Sequence, residues 1–154
     1  MDIQVELIPN YRIAYMRRVG RYGPENYEVI EKIKHWARDR NLLHSSFILA
    51  VPQDNPLTTP PENCRFDGCL VLSKDTLLDE SVYEGEISGG PYLIFKVKHT
   101  AKDLEKTYVE LFPYLKEQGY VLDSKTIFER YVGEAEDESF CEICVPIQGE
   151  YQNE

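Results

Sequence analysis

Phe47-Ile-Leu-Ala-Val51 and Phe128-Glu-Arg-Tyr-Val132 are short strand-like runs placed 81 residues apart, and each closes the same series of elements. Ahead of the first lie Arg12-Ile-Ala-Tyr-Met-Arg-Arg-Val19 and a helix opening at Gly23-Pro24 and running to about Arg40. Ahead of the second lie Tyr92-Leu-Ile-Phe-Lys-Val97 and a helix from about Ala101 to Gln118. Tyr11 and Tyr92 keep the spacing of 81, and the closing strands align as Asp67-Gly-Cys69 with Glu142-Ile-Cys144 at a spacing of 75. The chain therefore reads as one β-α-β-β unit written twice. Two copies of a half-sheet set side by side leave a groove along their pseudo-two-fold axis. Positions where the copies differ are candidates for function. The sharpest is Ile48, which becomes Glu129 in the second copy.

The elements have readable boundaries. Residues 5–19 give one or two strands broken at Pro9-Asn10. Gly23 suits an N-cap and Pro24 a first helical position, while Ile30, Ile33 and Ala37 form a stripe flanked by Val29 and Trp36. Four prolines between Pro52 and Asn63 mark a surface loop, and a strand follows over 66–72. The second copy begins near Val82, with a turn or bulge at Ser88-Gly-Gly-Pro91. Thr100-x-x-Asp103 resembles a capping box, and Leu104, Tyr108, Leu111, Phe112 and Leu115 form an amphipathic stripe. Pro113 predicts a kink or a sharper curvature in that helix, and Gly119 ends it. Strands over 126–132 and 140–147 are joined by an acidic loop, 133–139, read as a solvated face. The expected architecture is α+β, an antiparallel sheet with two helices on one face. One domain over 1–148 is expected, with repeats at 1–75 and 82–148 and a frayed polar tail at 149–154.

Composition narrows the function. With 17 basic and 27 acidic residues the formal charge is −10, which repels phosphate backbones and argues against direct nucleic-acid binding. Cationic or neutral ligands fit that field better. Neither a secretory signal nor a membrane span of about 18 apolar residues is visible, so a cytoplasmic, membrane-free protein is the expectation. The four cysteines include Cys141-x-x-Cys144. Side chains three apart on a strand face opposite ways, so small buried thiols are the favoured reading over zinc or a redox pair. The histidines at 35, 44 and 99 are scattered, without metal-ligand spacing, and read as surface or boundary residues. Neither a metal nor another cofactor is expected. Ser45-Ser46 lacks a nucleophile elbow, and Ser88-Gly-Gly-Pro91 does not open a phosphate-binding helix.

Glu129 is the leading candidate for chemistry. On a strand it shares a face with Ile127 and Tyr131, and a carboxylate among apolar rings is desolvated. It could bind an organic cation with help from aromatic faces, or serve as a general acid or base. The competing readings are an exposed edge carboxylate and an ion pair with a lysine. Tyr15, Tyr92, Tyr108, Tyr114 and Tyr131 all fall in predicted elements. Each could belong to the core or line an aromatic pocket, as could Trp36.

Asp54-Asn55-Pro56, Thr59-Pro60 and Cys64-Arg-Phe-Asp67 in the first copy, with Ser88-Gly89-Gly90-x-Tyr92 and Phe128-Glu129-x-Tyr131 in the second, resemble the GyrI-like small-molecule-binding family. This family also supplies effector domains of AraC- and MerR-type regulators. The positions of Trp36, Tyr108 and Phe112 look similar as well, and the resemblance spans about residues 1 to 148. Thr126 stands where relatives often carry proline, which leaves the start of that strand open. The resemblance implies an eight-stranded sheet, two helices and a central groove with Glu129 at its base and Tyr131 beside it.

Three functions follow. One is stand-alone binding of hydrophobic, cationic small molecules at Glu129, Tyr131, Tyr92, Tyr108, Phe112, Trp36 and Tyr15. Another is hydrolysis of strained electrophiles by Glu129 with a tyrosine such as Tyr131 or Tyr92. The third is interaction with a protein partner such as DNA gyrase.

Overall fold

A computed structural model describes residues 2–44, 46–132 and 140–149. Ser45 of the serine pair, the acidic loop 133–139 and the tail from 150 onward lie outside the described residues. The strands are β1 (Asp2–Ile8), β2 (Tyr11–Val19), β3 (Phe47–Pro52), β4 (Arg65–Leu72), β5 (Tyr83–Ile87), β6 (Gly90–Lys98), β7 (Phe128–Val132) and β8 (Phe140–Pro146). The helices are α1 (Asn26–Asp39) and α2 (Ala101–Gln118). All strands join one antiparallel sheet in the order β1-β6-β8-β7-β3-β4-β2-β5. The fold is α+β, as the repeat predicts.

The order reads alike from both ends once β1 is matched with β5, β2 with β6, β3 with β7 and β4 with β8. The pseudo-two-fold axis therefore runs between β3 and β7. Each copy also lends its first strand to the other. β1 pairs with β6, and β5 pairs with β2. The unit is thus β-β-α-β-β, one strand longer at its start than the repeat alone showed.

Local chemistry sets the helices. α1 begins after Glu25, later than the glycine–proline step suggests, because Gly23 and Pro24 form a turn whose carbonyls accept from Asn26 and Tyr27. Asn41, at φ 55°, takes the left-handed conformation that stops it. α2 is capped by Thr100, whose hydroxyl accepts from the Asp103 N–H at 3.1 Å, and it ends at Gly119 with φ 77°. The helix runs through Pro113. No helix among the described residues is long and apolar enough to cross a membrane.

α1 packs Ile30, Ile33, Trp36 and Ala37 onto β2, β3 and β4. The approach is close enough that a Cβ at Gly68 would meet the Val29 carbonyl oxygen at 2.9 Å. α2 packs Leu111 and Leu115 over Leu93, Phe95 and Ile143. Each such buried aliphatic or aromatic side chain stabilises by roughly 1.5–3 kcal/mol relative to exposure. The helix-free face has its own buried centre, formed by Tyr11, Leu49, Tyr92, Phe128 and Cys144. All four cysteines are buried free thiols, with Cys141 under α2 and Cys144 on the opposite face.

Candidate functional site

β7 sits beside the pseudo-axis and supplies polar groups to both faces of the sheet. Glu129 and Tyr131 project toward the helices, whereas Phe128 and Arg130 project away from them. Glu129 stands opposite Ala50 of β3, and Tyr131 stands opposite Ile48. Ala50 leaves space in front of the carboxylate, where a cavity of about 210 Å³ opens between the helix N-termini. Tyr27 and Ile30 of α1 wall it on one side, with His99 and Leu104 at the start of α2 on the other.

Glu129 accepts a hydrogen bond from the Tyr108 hydroxyl at 3.2 Å. Among the described residues no cation lies within ion-pair distance of it, and its strand is central in the sheet rather than at an edge. Burial raises its carboxyl above the ordinary value of 4.5, and the Tyr108 hydrogen bond offsets part of that rise. Burial also raises the Tyr108 and Tyr131 phenols, and the nearby Glu129 charge adds to the effect. Both hydroxyls stay protonated at neutral pH. The Tyr131 ring is flanked by the Lys34 ammonium, 5.3 Å from its centroid, and by the His99 ring at 5.7 Å. The arrangement can hold a positive charge against a carboxylate and aromatic faces, or pass a proton between a phenol and a carboxylate.

The other aromatic candidates lie elsewhere. Tyr92 is 1% exposed on the helix-free face, where its hydroxyl donates to the Ser88 carbonyl at 2.7 Å, and burial pushes its pKa up to about 12. Tyr15 shares that face and stacks near Tyr83. Trp36 is buried under the Arg40 guanidinium and donates its indole N–H to Asp79 at 3.3 Å, away from the cavity. Phe112 is half-exposed on the outer side of α2. Of the predicted group, then, the structure brings together Glu129, Tyr131 and Tyr108. The loop motifs play a different part. Asp54 grips Arg65 through two bonds of 2.9 and 3.0 Å and anchors the proline-rich loop, and Phe66 reaches the cavity wall.

Sequence reasoning passed over Tyr27, Lys34, Ala50 and Arg130, and it read His99 as a surface or boundary residue without linking it to the cavity that it lines. Two of these carried a signal. At the repeat spacing of 81, Ala50 aligns with Tyr131 and Leu49 with Arg130, so the copies break symmetry at adjacent positions too. Arg130 is 3% exposed on the helix-free face. Its guanidinium donates to Glu6 at 2.8 and 2.9 Å, to Glu142 at 3.0 Å and to the Tyr11 hydroxyl at 3.1 Å. Burial opposes its charge, and the Glu6 and Glu142 carboxylates outweigh that opposition.

Known proteins share this organisation. The GyrI-like small molecule binding domain family matches residues 1–148. The SPbeta prophage-derived protein YosT of Bacillus subtilis (strain 168), named as a candidate transcriptional regulator, is 37% identical over 149 residues, covering 96% of this chain and all of YosT. DNA gyrase inhibitor 1 of Dickeya dadantii (strain 3937) is 26% identical, covering 96% of this chain and all of that protein. The EcmrR C-terminal domain shares the fold at TM-score 0.73 and 15% identity, covering 96% of this chain and 97% of its own. SAV2435, solved bound to tetraphenylphosphonium, shares it at TM-score 0.58 and 14% identity, covering 97% and 95%. Match and duplicated architecture agree: this chain belongs to the GyrI-like small molecule binding domain family.

Proposed function

We propose that the chain binds hydrophobic organic cations between its two helices, with Glu129 as the charge complement and Tyr131 and Tyr27 as aromatic contacts. The observation that carries this reading is a desolvated carboxylate, without a cationic partner among the described residues, facing a cavity. A group in that state gains from a cation that replaces lost hydration. The bound tetraphenylphosphonium of SAV2435 supports the same ligand class. At about 210 Å³ the cavity is smaller than the roughly 300 Å³ at which drug-type pockets begin, so a small aryl cation suits it best.

The test uses a matched pair of probes: phenyltrimethylammonium, and tert-butylbenzene of the same shape without charge. Glu129→Gln is expected to weaken the cation about 100-fold, on the order of one lost buried charge pair, and the neutral probe less than twofold. Titrations followed by NMR decide it. Equal loss for both probes would remove the electrostatic role.

A second reading rests on the Tyr108–Glu129 hydrogen bond. A carboxylate with a raised pKa beside a protonated phenol can activate water as a base while the phenol donates to a leaving oxygen. Hydrolysis of strained electrophiles is its signature. A panel of epoxides and β-lactones showing no water addition above buffer would retire it.

A further inference from the structure

α1 carries Tyr27, Ile30 and Lys34 at helical spacing, and the first two already wall the cavity. Lys34 is one turn beyond Ile30. Its side chain is only 16% exposed, although lysine ordinarily keeps its ammonium in water. The Nζ sits 5.3 Å from the Tyr131 centroid. Its carboxylate neighbour, Glu31, is at 4.0 Å and is itself largely in solvent. The Lys34 charge is therefore shared between Glu31 and a ring that lines the cavity.

We infer that Lys34 is a resident competitor: its ammonium engages Tyr131 in the free protein and sets the threshold that an incoming cation must exceed. This deepens the cation-binding proposal and rests on it. A ligand cation next to Tyr131 meets a like charge a few ångströms away, in surroundings where water screens poorly. It binds only when its contacts with Glu129 and the cavity walls outweigh that repulsion, or when Lys34 swings out to solvent. Either route weakens compact, strongly hydrated cations more than large, soft ones. It leaves neutral molecules untouched. The competitor is thus a selectivity device built from α1, whereas affinity comes from β7.

The experiment compares Lys34→Met, which keeps the aliphatic stem, with Lys32→Met, which removes the same charge from an exposed site on the same helix. Phenyltrimethylammonium and tert-butylbenzene are again the probes. Lys34→Met is expected to bind the cation about tenfold more tightly, with tert-butylbenzene unchanged within twofold. Lys32→Met should leave both unchanged, which excludes an effect of net charge alone. Lys34→Arg keeps the cation and should show no gain; it also reports on the site if the methionine variant folds poorly. Suppose the wild type binds the cation through Glu129 but Lys34→Met shows unchanged or weaker binding. The competitor role is then overturned and the cation site stands. If the cation binds neither the wild type nor Lys34→Met, both ideas fall together.

Discussion

β3 and β7 occupy equivalent places on either side of the pseudo-axis, and they are filled in opposite ways. β3 buries Ile48 and Leu49 completely, one on each face, as an interior strand ordinarily does. β7 puts Glu129 and Arg130 at the matching positions, so it carries an anion toward the helices and a cation toward the far side. Among the described residues, only the cation has an ion-pair partner. Arg130 is held by two carboxylates and a phenol, whereas Glu129 has a single phenol and open space. The contrast shows how a duplicated scaffold can keep its backbone symmetric while one copy specialises. Paired charge holds the strand in place, and the carboxylate with open space before it is the group proposed to meet a ligand.

Making β7 resemble β3 on the far face should have the largest effect. Arg130→Leu leaves the partly exposed Glu6 and Glu142 without their shared cation and is expected to cost about 2–3 kcal/mol in urea unfolding, less than for fully buried carboxylates. Adding Glu6→Gln and Glu142→Gln should restore most of the loss. If Arg130→Leu unfolds at the wild-type midpoint, this asymmetry contributes nothing to stability.

Making β3 resemble β7 in bulk comes next. Ala50→Leu fills the space opposite Glu129 and should weaken phenyltrimethylammonium and tert-butylbenzene alike, by about tenfold, roughly the worth of a lost aryl contact. A loss confined to the cation would mean that Ala50 does not shape the cavity.

The smallest effect is expected from pH. Because burial holds the Glu129 carboxyl above its ordinary 4.5, cation binding should begin to fall with decreasing pH earlier than an ordinary glutamate would allow. The neutral probe should not respond. Stability follows the opposite sign: a carboxyl whose folded pKa is raised stabilises fully below 4.5, and that contribution is lost as pH rises through the folded value. Glu129→Gln should therefore raise Tm at neutral pH by about 2–4 °C, on the order of 1 kcal/mol. A lower Tm, with Tyr108 still hydrogen-bonded, would contradict the desolvation argument.

The sequence carried the repeat because helix and strand periods are local. The spacing of 81 matched Phe47 with Phe128, and these residues begin β3 and β7. The exchange of first strands was not readable, since β1 finds its partner nearly a hundred residues away and nothing local specifies it. Alternation along β6 separated Tyr92 from Leu93, but it could not say which set faces the helices. Trp36 and Phe112 fit helical stripes, and a stripe does not distinguish the core beneath a helix from the groove beside it. Arg130 escaped because a charged residue on a strand resembles an exposed one until Glu6, 124 residues distant, is seen against it.

Strand exchange also bears on synthesis. Asp2 pairs with Lys96, so β1 has no partner until the chain has grown into the second copy. At about 5–20 residues per second that wait is roughly 5–20 seconds. Throughout it, Val5 and Leu7 emerge on an unpaired edge. Asp2 and Glu6, alternating with them, give that edge the charge that discourages pairing with a neighbouring nascent chain.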